Sequence, residues 1–327
     1  MNSPMLQSRV DAFNSYRSMQ EFGEAFIDAL PKHIRNLKIP GRVILQNQRR
    51  QPVLANVTHI PDIQDAMLEV LNHPITQDAQ RHAENAFEAF LEKAAMDSAV
   101  LKFFNGWNET HKTTSLVSAK IIMRLSADAL SVSAERHIEY LNVMAHMHEV
   151  AKDDFGLGHP GHDGMFEYMT SAFNATAWIE NQHKVRECNE FSDFLYSTGI
   201  SEHKSALNSI EHKSAIMDAM MVSIASELWN GREYNFIAQY IEAKLLEVNP
   251  LLKTDVQALR NAKGYVMGHS GEVENKHGLH ALAAAQAYGR AMDIPFKLGR
   301  MKGIMLNYNE RVGRAFEAMH RYLTAEN

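Results

Sequence analysis

Two stretches of this chain concentrate side chains able to hold a metal ion. His146 to Phe166 reads H-M-H-E-V-A-K-D-D-F-G-L-G-H-P-G-H-D-G-M-F, and Gly268 to Leu282 reads G-H-S-G-E-V-E-N-K-H-G-L-H-A-L. Imidazoles and carboxylates grouped on facing helices suit a hard-to-borderline cation such as iron or manganese. In the first stretch, His146 and Glu149 are three residues apart and are neighbours on a helix surface. Asp153 and Asp154 stand at the helix end. Gly156, Gly158 and Gly161 then allow a sharp turn, after which His162 opens the next helix. The plainer reading makes His146 and His148 surface groups and the acidic pair a simple turn.

In the second stretch, Glu274 and His277 are the best local pair, about 60° apart on a helix, and His277 and His280 are spaced alike. His269 and His280 are separated by three turns, too far to share an ion on a regular helix. A distortion at Gly268 or Gly271, such as a π-bulge, would let His269 join. The alternative is a solvated polar face with Leu279, Ala281 and Leu282 turned inward. A third candidate, Glu227, follows the mostly apolar run A-I-M-D-A-M-M-V-S-I-A-S. Asp218 lies about 180° round the same helix, so only one of the two acids can face a shared site. A pairing of Glu227 with Arg232 is the competing account.

The elements that must position these residues read as helices. Helix-compatible segments are 12–30, ending before Pro31, then 61–72, 76–106 with a break near Met96–Ser98, 111–125, 131–152 and 162–182. Further segments are 187–197, 202–229, 231–246, 251–285 and 306–324. The β-branched segments 43–47 and 53–60 fit a small hairpin or an irregular arm. The expected fold class is all-α: a helical bundle over 85–327 after an N-terminal extension, 1–84, that carries the hairpin. Trp107, Tyr168, Phe173 and Trp178 are available to line a pocket, although aromatic residues at helical spacing more often form core.

The 327 residues are 45% apolar and 22% charged, as in an ordinary folded protein. A net charge of −6 argues against nucleic acid as a partner. The single cysteine, Cys188, excludes an intramolecular disulfide and favours a reducing compartment. There is no basic cap followed by an apolar run at the N-terminus, and no apolar stretch of membrane-spanning length. A cytoplasmic enzyme without a membrane partner, forming a homodimer by default, is the expectation.

The order Asp154-Phe-Gly156-Leu-Gly158, His162-Asp-Gly-Met165-Phe166, Glu227, and then His269, Glu274 and His277 resembles the haem-oxygenase-like non-haem iron oxidase and oxygenase superfamily. The resemblance spans roughly residues 85–290. It implies a seven-helix bundle without haem that binds one or two Fe(II) ions, with dioxygen as co-substrate and a small organic substrate. It implies Asp154, His162, Glu227, His269, Glu274 and His277 as ligands. His146, His148, Glu149, Asp153 and Glu272 are then supporting groups or rivals. Two departures stand out. Asp154 replaces the family's glutamate, leaving Glu149 or Asp153 as substitutes, and one extra residue separates His269 from Glu274, which raises His280 as a rival ligand. Metal-free relatives of the fold suggest an alternative enzyme, a cofactorless oxidase or a thiaminase-like hydrolase with Cys188 as nucleophile. A non-enzymatic metal-sensing or interaction module is the third reading.

Overall fold

A computed structural model describes residues 16–38, 57–154, 161–200 and 205–325; the side chains of Asp153, Asp154, His162 and Ile200 lie outside that description. Thirteen α-helices and no strand occur among the described residues. They are α1 (Met19–Asn36), α2 (Ile60–Leu71), α3 (Pro74–Glu92), α4 (Ser98–Asp128), α5 (His137–Asp154) and α6 (His162–Ala172). There follow α7 (Arg186–Leu195), α8 (Ile210–Ala238), α9 (Ile241–Val248), α10 (Val256–Ala262), α11 (Gly264–His269), α12 (Val273–Met292) and α13 (Leu298–Thr324). Most of the expected hairpin, 43–56, lies outside the described residues, while 57–59 is irregular and α2 begins at Ile60.

The centre of the molecule is α8. Every residue from Ala219 to Ala238 is buried, so the helix is enclosed on all sides. Ser209 caps it, its hydroxyl accepting from the His212 amide at 3.1 Å. Packed against α8 is α12, buried without interruption from His277 to Gly289, with α5 on its other side. Glycines set the α8–α12 spacing: a Cβ at Gly278 would stand 2.9 Å from Leu228 Cδ2, and one at Gly231 would stand 2.6 Å from Asn275 Oδ1. The first helices share this core. Notably, α3 lies along α13, with Asn309 Nδ2 donating to Thr76 Oγ1 at 2.8 Å.

Several boundaries differ from the sequence expectation. α1 runs through Pro31 to Asn36, because Phe26, Ile27, Leu30 and Ile34 form one buried face that continues past the proline. α4 is one helix where two were expected. The polar stretch around Gly106 is buried against α7 and α13, and a Cβ at Gly106 would meet Met319 Sδ at 2.8 Å and Cys188 Sγ at 2.9 Å. The expected 162–182 helix stops at Ala172 and continues as two short 3-10 turns. The expected 251–285 helix is divided into α10, α11 and α12.

That last division positions the site. Between α11 and α12, Gly271 adopts φ 82°, a left-handed conformation that glycine enters at little cost. Asn235 of α8 pins it from both sides: its Oδ1 accepts from the Gly271 amide at 2.7 Å and its Nδ2 donates to the Gly271 carbonyl at 3.0 Å. The expected distortion near Gly268 and Gly271 is therefore a complete break rather than a π-bulge.

Candidate metal centre

Glu227 on α8 and Glu274 and His277 on α12 converge in the interior. Their candidate donor atoms all lie within 4.8 Å of one another, and all three residues are buried. His277 Nδ1 stands 3.6 Å from Glu227 Oε2 and 3.5 Å from Glu274 Oε2. Two donors each about 2.1 Å from one ion and 90–120° apart are separated by about 3.0–3.6 Å, so these distances fit a shared first-row cation. Among the described residues, Glu274 Oε1 is buried without a hydrogen-bond partner, the kind of orphaned acceptor that a cation satisfies.

The electrostatics are those of two acids sharing one interior. Burial pushes the Glu227 carboxyl well above its usual range. The hydrogen bond from His277 opposes this, and the charge of Glu274 adds to it. Burial also works against the Glu274 charge, but the His277 hydrogen bond and charge, then the charge of His269, outweigh it and hold that carboxyl low. Burial and the neighbouring charge thus raise Glu227 while His277 and His269 lower Glu274, so Glu227 is the more readily protonated of the two acids.

A second buried carboxylate lies one and a half turns further along α8. Glu233 is fully buried and saturated: Trp107 Nε1 donates to its Oε1 at 2.6 Å, Trp229 Nε1 to its Oε2 at 2.7 Å, and His111 Nε2 lies 2.8 Å from its Oε1. Around it, Tyr234 donates its hydroxyl hydrogen to Tyr265 at 2.7 Å and stacks on His269 at 4.9 Å. Sequence reasoning missed Glu233, His111, Tyr234 and Tyr265. The usable signal was the i, i+4 pairs Trp107/His111 and Trp229/Glu233, the first of which fell in a supposed gap between helices.

The remaining candidates are distributed as follows. His269 is buried at the end of α11, its ring nitrogen Nδ1 donating to the Tyr265 carbonyl at 2.5 Å. It borders the carboxylates without belonging to the group of three, although the charge of Glu274 acts on it. His280 lies outside the group of three: its Nδ1 stands 2.8 Å from Nδ1 of His146, and the two buried imidazoles pair with each other. Burial pulls His146 down to about 4 and His280 to about 3, so both are neutral near pH 7. His148 is half-buried, with Nδ1 lacking a partner among the described residues. Glu149 is held by Lys152 at 2.6 Å. Glu272 faces solvent, 60% exposed, between Lys276 and His33. Asp153, Asp154 and His162 have side chains outside the described residues. Phe166, one turn beyond His162, packs edge-on against Tyr265 at 4.9 Å and Trp107 at 5.7 Å.

Two competing accounts fall to geometry. Arg232 does not pair with Glu227; it bonds the Leu228 carbonyl and Gln80 Oε1. Asp218 is turned away to a two-point contact with Arg300, both bonds 2.6 Å. Cys188 is fully buried, and burial pushes its thiol well up, which removes it as a ready nucleophile. Of the aromatic candidates, Trp107, Phe173 and Trp178 are core and Tyr168 is exposed. No helix among the described residues is long and apolar enough to cross a membrane. Comparison with protein-family models, with curated proteins and with solved structures gives no match.

Proposed function

We propose that this chain is a non-haem iron-dependent oxidase or oxygenase on a haem-oxygenase-like helical bundle, acting with dioxygen on a small organic substrate. The observation that carries the proposal is the convergence of Glu227, Glu274 and His277 inside the bundle from two helices. A carboxylate-rich set with one imidazole suits Fe(II) among available cations. The groups nearby support the same assignment. His269 stands beside Glu274, and Phe166 brings the start of α6, where His162 lies, against Tyr265, the residue that accepts from the His269 ring. Asp154, His162 and His269 complete the proposed ligand set.

Bound iron, as one or two ions, would supply the electrons that activate dioxygen. The chain's own part is to hold donors, move a proton and keep the interior dry. Glu227 gives up its proton when a cation takes the place of that proton between the two acids. His277 Nδ1 is within reach of both carboxylates and orients them. The indole and imidazole donors around Glu233 fix α4 to α8 and so set the position of the neighbouring turn that carries Glu227.

Reconstitution under reducing, anaerobic conditions with ferrous iron, followed by metal analysis, tests this reading. Wild type should retain one or two irons per chain and consume oxygen on mixing with air. The double variant Glu227→Ala/His277→Ala should retain none while still folding. Full iron content in that variant would remove the assignment.

A further inference from the structure

Beside the α8–α12 contact lies a half-open cleft of about 360 Å³, a volume that runs out to solvent. Its walls are Phe26 and Ile27 of α1, Met67 and Leu71 of α2, Leu228 of α8 and Met305 of α13. Only two polar side chains, Arg232 and Asn275, reach it. None of the proposed metal ligands lines it.

Arg232 is the unusual member. It is 7% exposed, and no carboxylate among the described residues pairs with it. Nε donates to the Leu228 carbonyl at 3.0 Å and Nη1 to Gln80 Oε1 at 2.6 Å, which leaves Nη2 without a partner among the described residues. The guanidinium also lies 5.3 Å from the Trp229 ring centroid. Burial pulls its pKa down to about 10, yet it stays charged near pH 7. A buried cation without an anion is costly, and an anionic ligand removes the deficit. The apolar walls require that the rest of that ligand be hydrocarbon. The cleft is thin as well. A straight alkyl chain fits such a space as Met67, Met305 and Leu71 part, whereas a ring does not.

We propose that this cleft binds a straight-chain carboxylate, its head group on Arg232 Nη2 and the Asn275 amide and its tail between α1, α2 and α13. The site is separate from the metal centre and does not depend on the iron assignment. Leu228 and Asn275 are the chain neighbours of Glu227 and Glu274, so occupancy bears on the same two helices.

The test is a thermal-shift and calorimetric series on the full chain, metal-free, with carboxylates from butanoate to decanoate and primary alcohols of matching length. Saturable stabilisation by the acids, with an optimum chain length and no response to the alcohols, is expected. Arg232→Met keeps the volume and should weaken acid binding about tenfold or more, the loss of a charge-assisted bond. Gly23→Ala offers a second reading that retains the Arg232 guanidinium. Its Cβ would stand 2.7 Å from Leu71 Cδ1 and 3.2 Å from Arg232 Cδ, so it should shorten the longest acid accepted. The proposal is overturned if no acid binds wild type, if Arg232→Met binds acids as well as wild type does, or if Gly23→Ala leaves the chain-length profile unchanged. Failure of iron reconstitution would not touch any of these outcomes.

Discussion

Replacing Glu227 by glutamine tests whether the two acids of the centre share a proton that a metal must displace. Their donor atoms lie within 4.8 Å of one another. Two unit negative charges at that distance repel by about 3.5 kcal/mol at an effective dielectric of ~20, and by more if closer. Ionising a carboxyl of ordinary pKa 4.5 at pH 7 is favoured by about 3.4 kcal/mol, so it is the repulsion together with the burial of Glu227 that keeps a proton on the pair near pH 7. A divalent cation reverses the balance, since its charge lets both acids ionise. Calorimetric titration with ferrous iron, repeated in buffers of different ionisation enthalpy, counts the protons released. Glu227→Gln has no proton to give and offers a neutral amide oxygen in place of an anion. The number released should therefore fall by about one relative to wild type, a difference that isolates Glu227 from any proton lost by His277. Affinity should fall by more than the ~10–100-fold that loss of an outer partner costs. Equal proton counts in the two proteins, or wild-type affinity in the variant, would refute the shared-proton argument.

Three further outcomes are expected. Glu233→Gln leaves one of the three donors around that carboxylate without an acceptor, and should lower unfolding free energy in urea by about 1–3 kcal/mol; an unchanged midpoint would show the network to be slack. Gly313→Ala drives a Cβ to 2.8 Å from Ala79 Cβ and 2.9 Å from its Cα, and should cost about 1–3 kcal/mol by forcing α3 off α13, readable in the same denaturation curves. The His146–His280 pair makes the fold acid-sensitive. Unfolded imidazoles take up protons below about 6.5, whereas the folded ones hold out to about 4 and about 3. Stability is therefore complete above pH 6.5 and declines as the pH falls below it, by up to about 1.4 kcal/mol per pH unit for each ring. Urea unfolding at pH 7.5, 6 and 5 should show the decline in wild type and a flatter profile in His146→Gln/His280→Gln; parallel profiles would refute it.

The parts of the molecule legible in its sequence are those fixed by local spacing. The helical class follows from apolar periodicity, and the choice of Glu227 over Asp218 follows from their opposite placement on one helix. Glu274 and His277 were found because an i, i+3 pair is a local property. What failed depended on partners remote in sequence. The break that ends α11 is held by Asn235, 36 residues earlier. His280 is occupied by His146, 134 residues away, which no spacing within α12 could reveal. Pro31 stops an isolated helix, but here the packing of Leu30 and Ile34 carries α1 through it.

One buried stretch of α8 sets three different charge problems. Arg232 and Glu233 point about 140° and about 120° away from Glu227, on opposite sides of the helix, so each must be satisfied separately. Glu233 is fully answered from within the chain by two indoles and an imidazole. Glu227 meets a second acid and one histidine, an arrangement short of positive charge. Arg232 meets only neutral acceptors, an arrangement short of negative charge. The two deficits have opposite sign yet do not cancel, because Leu228 and the close α8–α12 contact at Gly278 stand between the faces. Five residues apart on one helix, Arg232 and Glu227 cannot turn toward each other, since only positions three and four apart are neighbours. That separation leaves one face short of positive charge and the other short of negative charge, the premise of both ligand proposals.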